Sequence, residues 1–99
     1  MKDIENKAEF DQLLSSNFKV VVDFYAKWCA PCKMMMPILE ALEKEHTDTL
    51  FVKVDVEDNR DIMGEYNVRS VPTLMVFVNG EVEMVKTGSL TKQQLEAML

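Results

Sequence analysis

Residues 18–25, Phe-Lys-Val-Val-Val-Asp-Phe-Tyr, constrain the possible folds of this chain more than any other stretch. A run so rich in β-branched and aromatic side chains fits a pleated strand. Its near-continuous apolarity, in place of strict alternation, means a central strand buried on both faces, with helices above and below the sheet. Asp23 is the anomaly in it. An ionised carboxylate inside an apolar strand is costly unless paired, so a buried Asp23 has a raised pKa. A solvated face, or a hydrogen bond that merely closes the strand, would also accommodate it.

Six residues after Asp23 the chain reaches Trp28-Cys29-Ala30-Pro31-Cys32-Lys33, which contains both of its cysteines. If this segment opens a helix, residues three apart share a face with Cβ atoms roughly 5–6 Å apart. A modest adjustment then reaches the ~3.5–4.5 Å that a disulfide needs, so the pair opens and closes without refolding. Pro31 suits the first turn, where its missing N–H has no intrahelical partner to lose. Cys29 faces free N–H groups at the positive end of the helix dipole, with Lys33 nearby. Its thiol therefore ionises more readily than a free cysteine of pKa ~8.5. Cys32, inside the first turn, stays protonated. A zinc site is the first alternative, with His46 at a finger-like distance, but His46 is the only histidine and a third cysteine is lacking. Two buried apolar cysteines are the second, and the flanking Trp, Pro and Lys argue against it.

Around this centre the pattern predicts a short edge strand at 2–4, then a helix near 7–15 announced by Asn6-Lys7-Ala8-Glu9 as a capping box. Phe10, Leu13 and Leu14 form that helix's apolar face. After Cys32, Met35, Ile38, Leu39 and Leu42 recur at helical spacing to about Glu45, in a helix that Pro37 interrupts and should kink. Met35 reads as core, while Met34 and Met36 fit core or a soft binding surface. Leu50–Val56 is a second strand, in which Lys53 reads as solvated. Strand, helix and strand joined by short loops imply a right-handed parallel crossover. Such a sheet places its ligands at the carboxyl end of the strand, where the cysteines stand. A short helix follows at 58–66, a loop to Pro72, a strand at 73–78, a tight Asn79-Gly80 turn and an antiparallel strand at 81–86. Thr91-Lys92-Gln93-Gln94 is a second capping box, opening a helix with Leu95, Met98 and Leu99 on its apolar face.

The composition narrows the function classes. Ninety-nine residues with 47% hydrophobic content suffice for one domain spanning 1–99. A formal charge of −6 with only 11 Lys and Arg argues against nucleic-acid binding. No apolar run approaches the ~20 residues of a membrane span, and residues 1–7 lack a signal core. A cytoplasmic location is expected. There, two cysteines more often form a transient catalytic disulfide than a structural one.

The motif Trp28-Cys29-Ala30-Pro31-Cys32-Lys33, preceded by Val22-Asp23-Phe24-Tyr25-Ala26 and followed by Val71-Pro72-Thr73 and Asn79-Gly80, resembles the thioredoxin family over essentially the whole chain. The resemblance implies a three-layer α/β domain with a central mixed sheet flanked by helices. It implies a protein-disulfide reductase needing no cofactor, in which Cys29 attacks a substrate disulfide and Cys32 resolves the mixed disulfide. Asp23 and Lys53 match the family's buried acid and its lysine partner, which assist proton transfer. Pro72 matches a cis-proline and Gly88 the glycine after the last strand. With Trp28, Ala30, Pro31 and Val71 these positions resemble the docking surface for substrate backbone. The implied partners are disulfide-containing proteins and a thioredoxin reductase, with the chain as a monomer. Ala30 departs from the family's usual Gly, which bears on the reduction potential and substrate breadth. The alternatives are an isomerase- or oxidase-leaning dithiol, and a binding module in which the cysteines are dispensable.

Overall fold

The computed structural model describes residues 1–99. The elements run β1 (Lys2–Asp3), α1 (Lys7–Ser16), β2 (Lys19–Tyr25), α2 (Ala30–Glu45), β3 (Leu50–Asp55), α3 (Arg60–Glu65), β4 (Thr73–Val78), β5 (Glu81–Thr87) and α4 (Lys92–Met98). The five strands form one sheet in the order β1-β3-β2-β4-β5. β3 pairs in parallel with β1 and β2, while β4 runs antiparallel to β2 and β5. The apolar run therefore lies at the centre of a mixed sheet, as its burial pattern requires.

Period-2 alternation divides the core between the two faces of that sheet. Val20, Val22 and Phe24 point to one side and pack with Phe10 and Leu14 of α1 and Ile62 of α3. Val21 points to the other and packs with Met35, Leu39 and Leu42 of α2 and Leu95 and Met98 of α4. Asp23 shares the parity of Val21 and so faces the α2 side.

Local chemistry explains the ends of the elements, with some departures from the sequence pattern. The Asn6 side chain accepts the Glu9 N–H at 2.9 Å, but the Glu9 carboxylate reaches past Asn6 to the Glu5 N–H, also at 2.9 Å. The reciprocal pair is thus shifted by one residue. Thr91 and Gln94 make both bonds of their capping box. Phe18 lies outside β2 and is 71% exposed. Its carbonyl closes onto the Asn79 N–H at the level of the hairpin, leaving the side chain beyond the end of the sheet. α2 begins at Ala30 and runs unbroken through Pro37. Pro37 is exposed, so the Lys33 carbonyl that lacks a helical donor can turn to water. Asn79 and Gly80 have φ of 52° and 81°, the positive pair that a two-residue hairpin turn demands.

Candidate active site

β2 delivers the cysteines. At its end the Cys29 N–H donates to the Ala26 carbonyl at 3.1 Å, and Cys29 becomes the N-cap of α2 with an extended backbone. Its Sγ accepts the Cys32 N–H at 3.2 Å. Pro31 sits in the first turn, where helix donors are free in any case. Cys29 and Cys32 form a disulfide, with Cα atoms 5.3 Å apart. Both are buried, while Trp28, Ala30 and Pro31 form an exposed rim around them. An anionic sulfur at Cys29 is favoured here by a donated N–H and by the helix dipole.

Behind the cysteines, Asp23 is wholly buried, and neither carboxylate oxygen has a hydrogen-bond partner. Loss of water drives its pKa up to about 7, against a smaller downward pull from the Lys53 charge. Lys53 is the register partner of Asp23 on β3. It is half-buried, not solvated as the strand pattern suggested. Its Nζ lies over the Tyr25 ring, 5.4 Å from the centroid. A cleft of about 460 Å³ brings Tyr25, Lys27, Cys32, Lys33, Met36 and Lys53 to one opening. At its edge the Lys27 ammonium stands 3.7 Å from Asp55 and 3.6 Å from Asp58.

The loop before β4 forms the other wall. Val71–Pro72 is cis, and neither backbone group of Val71 is engaged in a hydrogen bond. Thr73 Oγ1 donates to the Ser70 carbonyl at 2.7 Å. Gly88, at φ 90°, donates its N–H to the Pro72 carbonyl at 2.8 Å. Val71 shares a groove of about 210 Å³ with Trp28, Met63 and Val68. The fold thus joins Trp28 to Val71, Pro72 to Gly88 and Asp23 to Lys53. Tyr25 and Asp3 were not singled out from the sequence, although the Tyr25 hydroxyl donates to both Asp3 carboxylate oxygens at 3.0 Å. Alternation would have placed Tyr25 on the face of Asp23, whereas Asp3 emerges only from the pairing of β1 with β3.

A mixed sheet that presents a closed Cys-x-x-Cys pair at a helix N-terminus, with a buried acid behind it, defines a thiol-disulfide oxidoreductase. The Thioredoxin family model matches residues 2–99, and the chain belongs to the thioredoxin family. A thioredoxin of Mycoplasmoides gallisepticum is 50% identical over 99 residues, covering 100% of this chain and 99% of that protein. One of Pseudomonas aeruginosa is 43% identical over 94 residues, covering 93% and 87%. Among solved structures, a Plasmodium falciparum thioredoxin superimposes with a TM-score of 0.94 at 36% identity, covering 99% of this chain and 95% of that one.

Proposed function

We propose that the chain reduces protein disulfides, with Cys29 as the attacking thiolate and Cys32 as the resolving thiol. The Cys29 thiolate attacks one sulfur of a substrate disulfide, forming a mixed disulfide and expelling the other sulfur as a thiolate that takes up a proton. Cys32 passes its proton to Asp23, and its sulfur attacks Cys29 Sγ. The second substrate sulfur leaves as a thiolate and takes up a proton, and the two electrons that the substrate disulfide has gained come from the Cys29 and Cys32 thiols, which are left oxidised as the Cys29–Cys32 disulfide. The observation that carries this reading is the N–H of Cys32 donated to Cys29 Sγ at 3.2 Å. It favours negative charge on the first sulfur and places the second within the helix. Lowering a thiol pKa from ~8.5 to ~7 raises its ionised share at neutral pH from about 3% to about half.

In this reading Lys53 tempers the charge on Asp23. Trp28, Ala30, Pro31, Val71, Pro72 and Gly88 receive an extended substrate segment, whose backbone pairs with the free N–H and C=O of Val71 by strand addition. The chain acts as a single domain over 1–99, as a cytoplasmic monomer recharged by a thioredoxin reductase. The test compares Cys29→Ser with Cys32→Ser on a protein disulfide, with mass spectrometry of the products. Cys32→Ser accumulates a mixed disulfide through Cys29, and Cys29→Ser is inert. The opposite pattern would overturn the assignment.

A further inference from the structure

One in-register row crosses the whole sheet beside the active site: Asp3 on β1, Lys53 on β3, Asp23 on β2, Leu74 on β4 and Lys86 on β5. Side chains of partnered residues stand on one face, so the Lys53 stem rises between two carboxylates. Yet Lys53 makes none of the structure's ion pairs. Its ammonium lies over the Tyr25 ring. Tyr25, two residues beyond Asp23 and on the same face, is itself buried and held by its hydroxyl bond to both oxygens of Asp3. A hydroxyl donating to a carboxylate enriches the ring in electron density, which strengthens its attraction for a cation.

We propose that Tyr25 and Asp3 are positioning residues for proton transfer: the Asp3–Tyr25 bond fixes the ring, and the ring holds the Lys53 ammonium beside the buried Asp23 carboxylate. Lysine tends to extend its head into water while its stem stays on apolar surface. Without the ring the ammonium leaves for the mouth of the cleft, and Asp23 loses part of the only charge compensation it has. The other charged groups around the row leave Lys53 in this role. Lys27 is engaged by Asp55 and Asp58, Glu43 of α2 by the Met1 amino group, and Lys33 stands at the cleft opening. On the β4 side, Leu74 separates Asp23 from Lys86. The α2 residues facing the sheet here, Met35 and Leu39, are apolar.

This inference rests on Asp23 accepting the Cys32 proton, and the experiment separates the two claims. Asp23 is titrated through its carboxyl carbon by NMR in the oxidised full chain, and the pH profile of disulfide reduction is recorded on the same variants. Tyr25→Leu moves the Asp23 midpoint upward by about half a pH unit, the size expected of one cation–π contact. Tyr25→Phe and Asp3→Asn, which keep the ring and the packing, move it upward by less, and Lys53→Met sets the upper limit. If Tyr25→Leu does not fold, those two conservative variants carry the test. Midpoints unchanged in folded Tyr25 and Asp3 variants, while Lys53→Met still shifts, would overturn the positioning role. Midpoints that shift while the reduction profile stays fixed would leave the positioning standing and remove Asp23 as proton acceptor.

Discussion

Asp23 is opposed by Lys53 on one side and Leu74 on the other, and neither of its oxygens has a hydrogen-bond partner. Such a carboxylate stays neutral until the pH approaches its raised pKa of about 7, far above the ordinary value of 3.8. The folded state therefore binds more protons than the unfolded state between those two values. Stability falls as pH rises through that window and levels off above it. About three pH units correspond to roughly 4 kcal/mol. Asp23→Asn removes the titration, so its stability relative to the parent should climb by up to that amount between pH 4 and pH 8, measured by urea unfolding at each pH. An equal difference at both pH values would mean that Asp23 is not perturbed. The same variant should reduce disulfides roughly tenfold more slowly at pH 7. That is less than the usual ~10²–10⁴ effect of a general base, because some Cys32 ionises to water unaided.

Among the elements, the junction of β5 with the loop before β4 depends on one backbone angle. Gly88 at φ 90° turns its N–H onto the Pro72 carbonyl, and an L side chain is strained there although nothing lies within 4 Å of an added Cβ. Gly88→Ala should lower stability by about 1–3 kcal/mol. By loosening the wall proposed to receive substrate, it should raise KM for a protein disulfide more than it lowers kcat. A KM unchanged in a destabilised variant would remove Gly88 from the docking surface. The elements themselves were legible in the sequence wherever the chemistry is local: the buried run, the Asn79-Gly80 turn and the Thr91 box all stand where the pattern puts them. Asp23 and the two cysteines were legible because each breaks or punctuates that pattern. What escaped depends on register. Whether Lys53 faces water or Asp23, and whether Asp3 meets Tyr25, is decided by which strands lie side by side, and no single segment encodes that. Phe18 escaped for a related reason, since an aromatic continuing an apolar run looks like strand until the neighbouring strand is seen to end before it.

At the scale of the whole molecule the open quantity is the balance between dithiol and disulfide, on which the resemblance leaves Ala30 as the point of departure. Ala30 is the first residue of α2, exposed, and its φ is not in the positive range. A methyl group there meets solvent without backbone strain, so the geometry of the pair does not depend on glycine at this position. The reduction potential is then governed by how strongly the protein stabilises the Cys29 thiolate, since that stabilises the reduced form. Thioredoxin at ~−270 mV and DsbA at ~−120 mV differ by ~150 mV, about 7 kcal/mol for a two-electron couple. One N–H donated to a charged sulfur contributes ~1.5–3 kcal/mol, far short of that gap. The potential should therefore lie near −270 mV when equilibrated against glutathione or dithiothreitol of known poise. Ala30→Gly should move it by less than ~30 mV, because the helix-propensity change of about 1 kcal/mol, even if felt wholly in one redox state, converts to only ~20 mV. A larger effect is expected on KM, because in the proposed docking mode the exposed Ala30 methyl faces the substrate backbone. A parent value between about −180 and −120 mV would instead make the chain an isomerase- or oxidase-leaning dithiol. It would also require a source of thiolate stabilisation beyond the first turn of α2.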